Sequence, residues 1–249
     1  MAQLQSKEQE YKLPSSTSRE RLKKLVETSA GGSVVFSDDP VKDHSLIIRA
    51  LQKQGATIAQ AESLIKHEER VVVSTQPSQN GGACIVVIPQ RTEFLPLGSK
   101  LLAASYTDGP YQREIAELLH LHEGGHCQNV ADLASLGISK DPLRGEPKNF
   151  PRLRDWLTEG IAEARSILFF LRETYRDGNR ERIDKSRAAV EKVGQLRKEA
   201  GAEGYAAAYQ MDLELLKAPS DWVKNLTDSE IHSTAIKYCA EVVRKMDER

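Results

Sequence analysis

The chain has few aromatic residues: Phe, Trp and Tyr make up 6% of its 249 residues. Its core must therefore be mostly aliphatic, and at this length one large domain or two small ones can be built. It has no excess of charge of either sign, with 35 Lys and Arg against 36 Asp and Glu. That excludes a global electrostatic argument for binding nucleic acid. Cysteine is scarce: Cys84, Cys127 and Cys239 are odd in number and widely spaced. They suggest no disulfide framework and are expected to be reduced thiols, as in a cytosol. Long hydrophobic runs are absent too; the longest, SILFFL at 166–171, falls far short of the ~20 residues of a membrane span.

The N-terminus, MAQLQSKEQEYKLPSSTSRE, lacks the apolar core of a Sec-type signal peptide. Residues 1–30 are expected to be a flexible polar arm. Such a start fits a cytoplasmic protein, or an effector-like one secreted without a Sec signal peptide.

What is present divides into two halves. GSVVFSD (32–38), RVVVST (70–75) and ACIVVIP (83–89) have the Val/Ile content of strands, and Asn80-Gly81 between the last two is a hairpin signal. Helical spacing appears at 40–55 and 57–69, and again at 111–128, where Ile115, Leu118, Leu119 and His122 share one side. After a loop at 138–151, helices are expected over 152–176, 178–200, 202–217 and 228–247. The expected fold class is α+β: a small N-terminal β-sheet with an active-site helix, then a mainly helical C-terminal half. Residues 31–249 form one domain, with sheet and active-site helix in 31–128 and a helical subdomain in 129–249. The basic residues of 172–198 alternate with Asp and Glu, which reads as a solvated helix face.

Three of the six histidines fall in HLHEGGHCQN, 120–129. His122 and His126 are four apart, so on a helix both imidazoles face the same way and can reach one ion at ~2.0–2.1 Å. Glu123 is turned ~100° from His122 and stands where it can take a proton from a zinc-activated water. The same letters also suit a helix end with solvated His and Glu, and two interior glycines cost about 1 kcal/mol each relative to alanine. A zinc site needs a third ligand. DWLTEGIAEARS (155–166) places Glu159 and Glu163 four apart among Trp156, Leu157, Ile161 and Ala164, so both carboxylates should be partly buried and partnered.

His122-Glu123-Gly124-Gly125-His126 together with WLTEGIAE resembles the paired motifs of gluzincin metallopeptidases, such as the zinc aminopeptidases. The likeness covers only these two motifs. It implies a zincin-like catalytic domain, Zn2+ as cofactor, Glu159 as third ligand beside His122 and His126, Glu123 as general base, and Glu163 as a carboxylate orienting a ligating histidine. The activity implied is hydrolysis of peptide bonds in a peptide or protein substrate, with no nucleic acid or membrane as partner. HEGGHCQNVAD also resembles the metzincin pattern, with Asn129 in the place of the residue tolerant of left-handed conformation and Asp132 in that of the third ligand, although no Met-containing turn is evident and NVADLASLG also reads as continued helix. A non-catalytic binding or scaffold protein is the alternative from another class.

Among the remaining candidates, His120 is expected at the helix surface or core edge, Cys127 in packing, and His44 and His67 at the surface. Tyr205, Tyr209, Tyr238 and His232 are each able in principle to stabilise an oxyanion. Residues 84–88 are the expected strand edge for an extended substrate.

Overall fold

The computed structural model describes residues 19–31, 109–138, 150–201 and 205–248, with the short segments 11–12, 34–37, 48, 57–59, 74–75, 84–87 and 91–92. Most of the expected helices at 40–55 and 57–69 and of the loop at 138–151, together with His44 and His67, lie outside these residues.

Eight helices account for the four long stretches: α1 Arg19–Ala30, α2 Gln112–His126, α3 Asn129–Ser135, α4 Phe150–Asp177, α5 Arg180–Ala200, α6 Ala206–Leu215, α7 Ser220–Asn225 and α8 Asp228–Asp247. Local chemistry sets several boundaries. The Asn179 side chain caps α5 by accepting from Arg182 N–H at 3.1 Å, and Gly201 ends it at φ 64°. Thr227 and Glu230 form a reciprocal capping box at the start of α8.

The centre of the fold is α4. Every residue from Ile161 to Arg172 is buried, which requires helices around it on all sides. They are α2, α6, α7 and α8, with α5 lying across α4 and α6. On its other side α2 packs on α1, which contributes Leu22, Leu25, Val26 and Ala30 to the common core. Full burial of one such leucine or valine is worth about 1.5–3 kcal/mol. Arg21 reinforces the contact with a two-pronged ion pair to the buried Glu117.

These findings correct the α+β, zincin-like expectation. The body built from the four long stretches is 85% helical and contains no strand, so it is mainly helical and lacks the small N-terminal sheet. Strand pairing among the described residues is confined to segments of two to four residues. Val34–Ser37 runs parallel to Cys84–Val87, Ser74–Thr75 pairs antiparallel to the latter, and Tyr11–Lys12 pairs with Arg91–Thr92. The physical reason lies in α2. It is buried almost all round by helices, so the core closes helix on helix rather than on a sheet face. Val/Ile content marked the strand segments but not the layer.

Two further corrections concern the N-terminus and the cysteines. The second half of the expected arm is α1, and its stripe of Leu22, Leu25 and Val26 is buried. Cys127 is disulfide-bonded rather than reduced, whereas the buried Cys239 is free. No helix among the described residues is long and apolar enough to cross a membrane.

Candidate metal site

The two glycines of HEGGH are explained by close approach on both sides of α2. A Cβ on Gly124 would lie 2.5 Å from the Val26 carbonyl oxygen of α1, and one on Gly125 would lie 3.1 Å from Ala162 Cα of α4. The motif therefore sits at the point where α1 and α4 clamp α2, and its histidines are set against α4. Ser29 Oγ donates to Leu121 O at 2.5 Å, and the Gln128 amide donates to Ala30 O, fixing α1 along the same turn.

His122 and His126 project together from α2, with Nε2 atoms 3.0 Å apart. Glu159, from α4, brings Oε2 to 3.3 Å from His122 Nε2 and 3.8 Å from His126 Nε2. A tetrahedral ion bound at ~2.0–2.1 Å separates its ligand atoms by about 3.3–3.4 Å, and the three observed separations scatter around that value. Among the described residues, His122, His126 and Glu159 form a group able to hold a metal ion. Glu159 Oε2 is buried and accepts no hydrogen bond, a costly state for a carboxylate unless a cation occupies the space it faces.

The outer ring nitrogens are also placed for metal binding. His122 Nδ1–H donates to Glu163 Oε2 at 2.7 Å. The Asn129 amide lies 2.9 Å from His126 Nδ1, and its carbonyl oxygen is otherwise unpaired. With the amide turned so that this oxygen accepts from Nδ1–H, both histidines are held at Nδ1 and turn Nε2 into the site.

The two histidines are shifted in opposite directions. Burial alone would lower the pKa of His122, but the adjacent carboxylates of Glu159 and Glu163 outweigh burial and lift it to about 10. Burial lowers His126 to about 4. Glu159, which burial alone would raise, is pulled down to about 2 by the charges of His126 and His122. Glu163 is fully buried; desolvation would raise it, but the Arg197 guanidinium and His122 hold it well below the usual carboxylate range.

Other sequence candidates fall elsewhere. Asp132 is not in the cluster: Arg165 grips both its oxygens and also donates to Gly125 O at 2.9 Å. Asn129 supports His126 rather than binding metal. His120 is fully buried and donates from Nδ1 to Ala116 O at 2.7 Å, so it is core rather than surface. His232 packs against Phe169, Tyr209 lies under Lys198, and Tyr238 feels Glu214 and Glu241. Tyr205 is the one tied to the site. Its hydroxyl is raised first by burial, then by the charges of Glu159 and Glu123. It precedes α6, whose first turn lies against Gly160, with Ala207 Cβ 3.1 Å from where a Cβ of Gly160 would stand.

The sequence reading missed Arg197 and Asp212. Arg197 Nη2 donates to Glu163 Oε2 at 2.5 Å, and Nη1 donates to Asp212 Oδ1 and Oδ2 at 3.1 and 3.0 Å. The only signal was an arginine and an aspartate amid helical sequence. Arg172 and Arg197, expected on a solvated face, are both buried in ion pairs.

Compared with known proteins, the chain matches no protein family, and neither a curated protein nor a solved structure is significantly similar to it.

Proposed function

We propose that the chain is a zinc-dependent metallopeptidase with a gluzincin-like ligand set on a mainly helical framework. The observation that carries the reading is the convergence of His122 Nε2, His126 Nε2 and the unpartnered Glu159 Oε2, with each imidazole braced at Nδ1. Two imidazoles and one carboxylate are a donor set suited to Zn2+, and three protein ligands leave the fourth position open for chemistry. When bound there, zinc lowers the pKa of a water towards ~7 and polarises the scissile carbonyl.

The chain's own residues supply the rest. Glu123, one position after His122 and half-exposed, takes the proton of the attacking water and returns it to the leaving amine. Tyr205 donates its hydroxyl to the oxyanion that develops on the carbonyl oxygen. The substrate class is a peptide or protein. A disulfide at Cys127 supports an oxidising compartment, and hence secretion over a cytoplasmic location.

The test uses the full chain purified without chelator. One equivalent of zinc, and proteolysis of a denatured proteome that vanishes in Glu123→Gln while zinc is retained, are the expected results. Stoichiometric zinc without proteolysis would redirect the reading to another hydrolase. A wild-type protein that holds no zinc and is unaffected by chelator would favour a binding or scaffold role.

A further inference from the structure

Three ionisable side chains from three helices meet behind His122, almost without solvent access: Glu163 on α4, Arg197 on α5 and Asp212 on α6 are at most 2% exposed. Burying such ions costs several kcal/mol each, and an apolar trio of the same volume would stabilise the fold as well or better. Gly194 makes room for the cluster, since a Cβ there would lie 3.1 Å from Asp212 Cβ. The trio shares one strategic atom. Glu163 Oε2 receives both His122 Nδ1–H and Arg197 Nη2–H, while Asp212 holds the other arm of the guanidinium.

We infer that Arg197, anchored by Asp212, is a positioning residue for the metal. It fixes the carboxylate that orients His122 and thereby sets the affinity of the site for a divalent cation. This rests on the metal-binding reading above and extends it outward from Glu163. Arg197 cannot act alone, because its side chain has many rotamers; the paired oxygens of Asp212 select the one that delivers Nη2 to Glu163. A lysine offers a single ammonium and cannot span both carboxylates in this fork geometry.

The test measures Zn2+ affinity by competition with a chromogenic chelator, alongside thermal melting of the metal-free proteins. Loss of a partner of this kind typically weakens metal binding ~10–100-fold, and that is the loss expected for Arg197→Gln. Asp212→Asn should weaken binding less, and Arg197→Lys should recover part of it. A merely structural cluster would lower the metal-free melting temperature and leave the affinity of the folded fraction unchanged; that result overturns the inference. If Arg197→Gln does not fold, Asp212→Asn carries the same comparison, and wild-type affinity in that variant also overturns it. A wild type that binds no zinc overturns the metal-site reading itself, which separates the two failures.

Discussion

Arg165 donates from Nη2 to both carboxylate oxygens of Asp132, at 2.8 Å each, and its side chain is fully buried. The pair braces α3 against α4 beside the candidate ligands and takes Asp132 out of the metal's reach. Asp132→Ala is expected to cost about 3–5 kcal/mol, because it strands a buried cation. Zinc stoichiometry should stay that of the wild type. Urea unfolding and metal analysis on the same preparation check both halves.

Metal removal should be visible as stability. At free zinc ~1,000 times Kd the bound state gains about 4 kcal/mol, which for a chain of this size is a shift of roughly 8–16 °C in Tm. Calorimetric scans with and without chelator measure it. In Glu159→Ala the shift should disappear, since two imidazoles alone leave the site short of a ligand.

The glycines of the motif should differ in tolerance. Alanine at position 124 would push Cβ to 2.5 Å from a backbone oxygen, Val26 O, which cannot move aside without displacing α1. Overpacking of that kind costs about 1–3 kcal/mol or more, outweighing the ~1 kcal/mol helix-propensity gain over glycine. At position 125 the closest atom is at 3.1 Å, and gain and loss should nearly cancel. Unfolding free energies of Gly124→Ala and Gly125→Ala give the ranking.

Tyr205→Phe should retain zinc and KM while kcat falls by about 10²–10³, the usual effect of deleting one oxyanion donor. Tyr209→Phe and Tyr238→Phe, which lie elsewhere, should be close to wild type. Steady-state kinetics on any cleaved substrate separates them.

His232 provides a pH signature outside the site. Burial, with Arg165 nearby, lowers its pKa from 6.5 to about 4 in the folded chain. The unfolded chain therefore binds more protons between these values, so stability is full above pH 6.5 and falls as the pH drops towards 4. His232→Phe should reduce the slope of that part of the stability curve, to which His120 and His126 also contribute, in acid titrations followed by circular dichroism.

Legibility in the sequence follows the range of the signal. The pairing of His122 with His126 was readable because its geometry is local to one helical turn, and Glu159 with Glu163 because a second local motif carries them. The helices of the second half were readable from periodicity, with the expected 152–176 and 228–247 close to Phe150–Asp177 and Asp228–Asp247. Asn129–Ser135 is helix, as the run NVADLASLG suggests, rather than a ligand-bearing turn. Arg197 and Asp212 were not readable, because no spacing rule links residues brought together from three separate helices. In α1 the signal was available: Leu22, Leu25 and Val26 recur at helical spacing, but the polar residues around them concealed it. The sheet was overread because Val and Ile mark a strand segment without specifying that it joins a layer.

The bond between Ser29 and Leu121 spans 92 positions of chain. At ~5–20 residues per second of synthesis, α1 emerges roughly 5–20 s before the helix it clamps, and Glu159 follows later still. Vectorial production thus presents His122 and His126 before Glu159, so the complete donor set proposed for the ion exists only once the long central helix has been made.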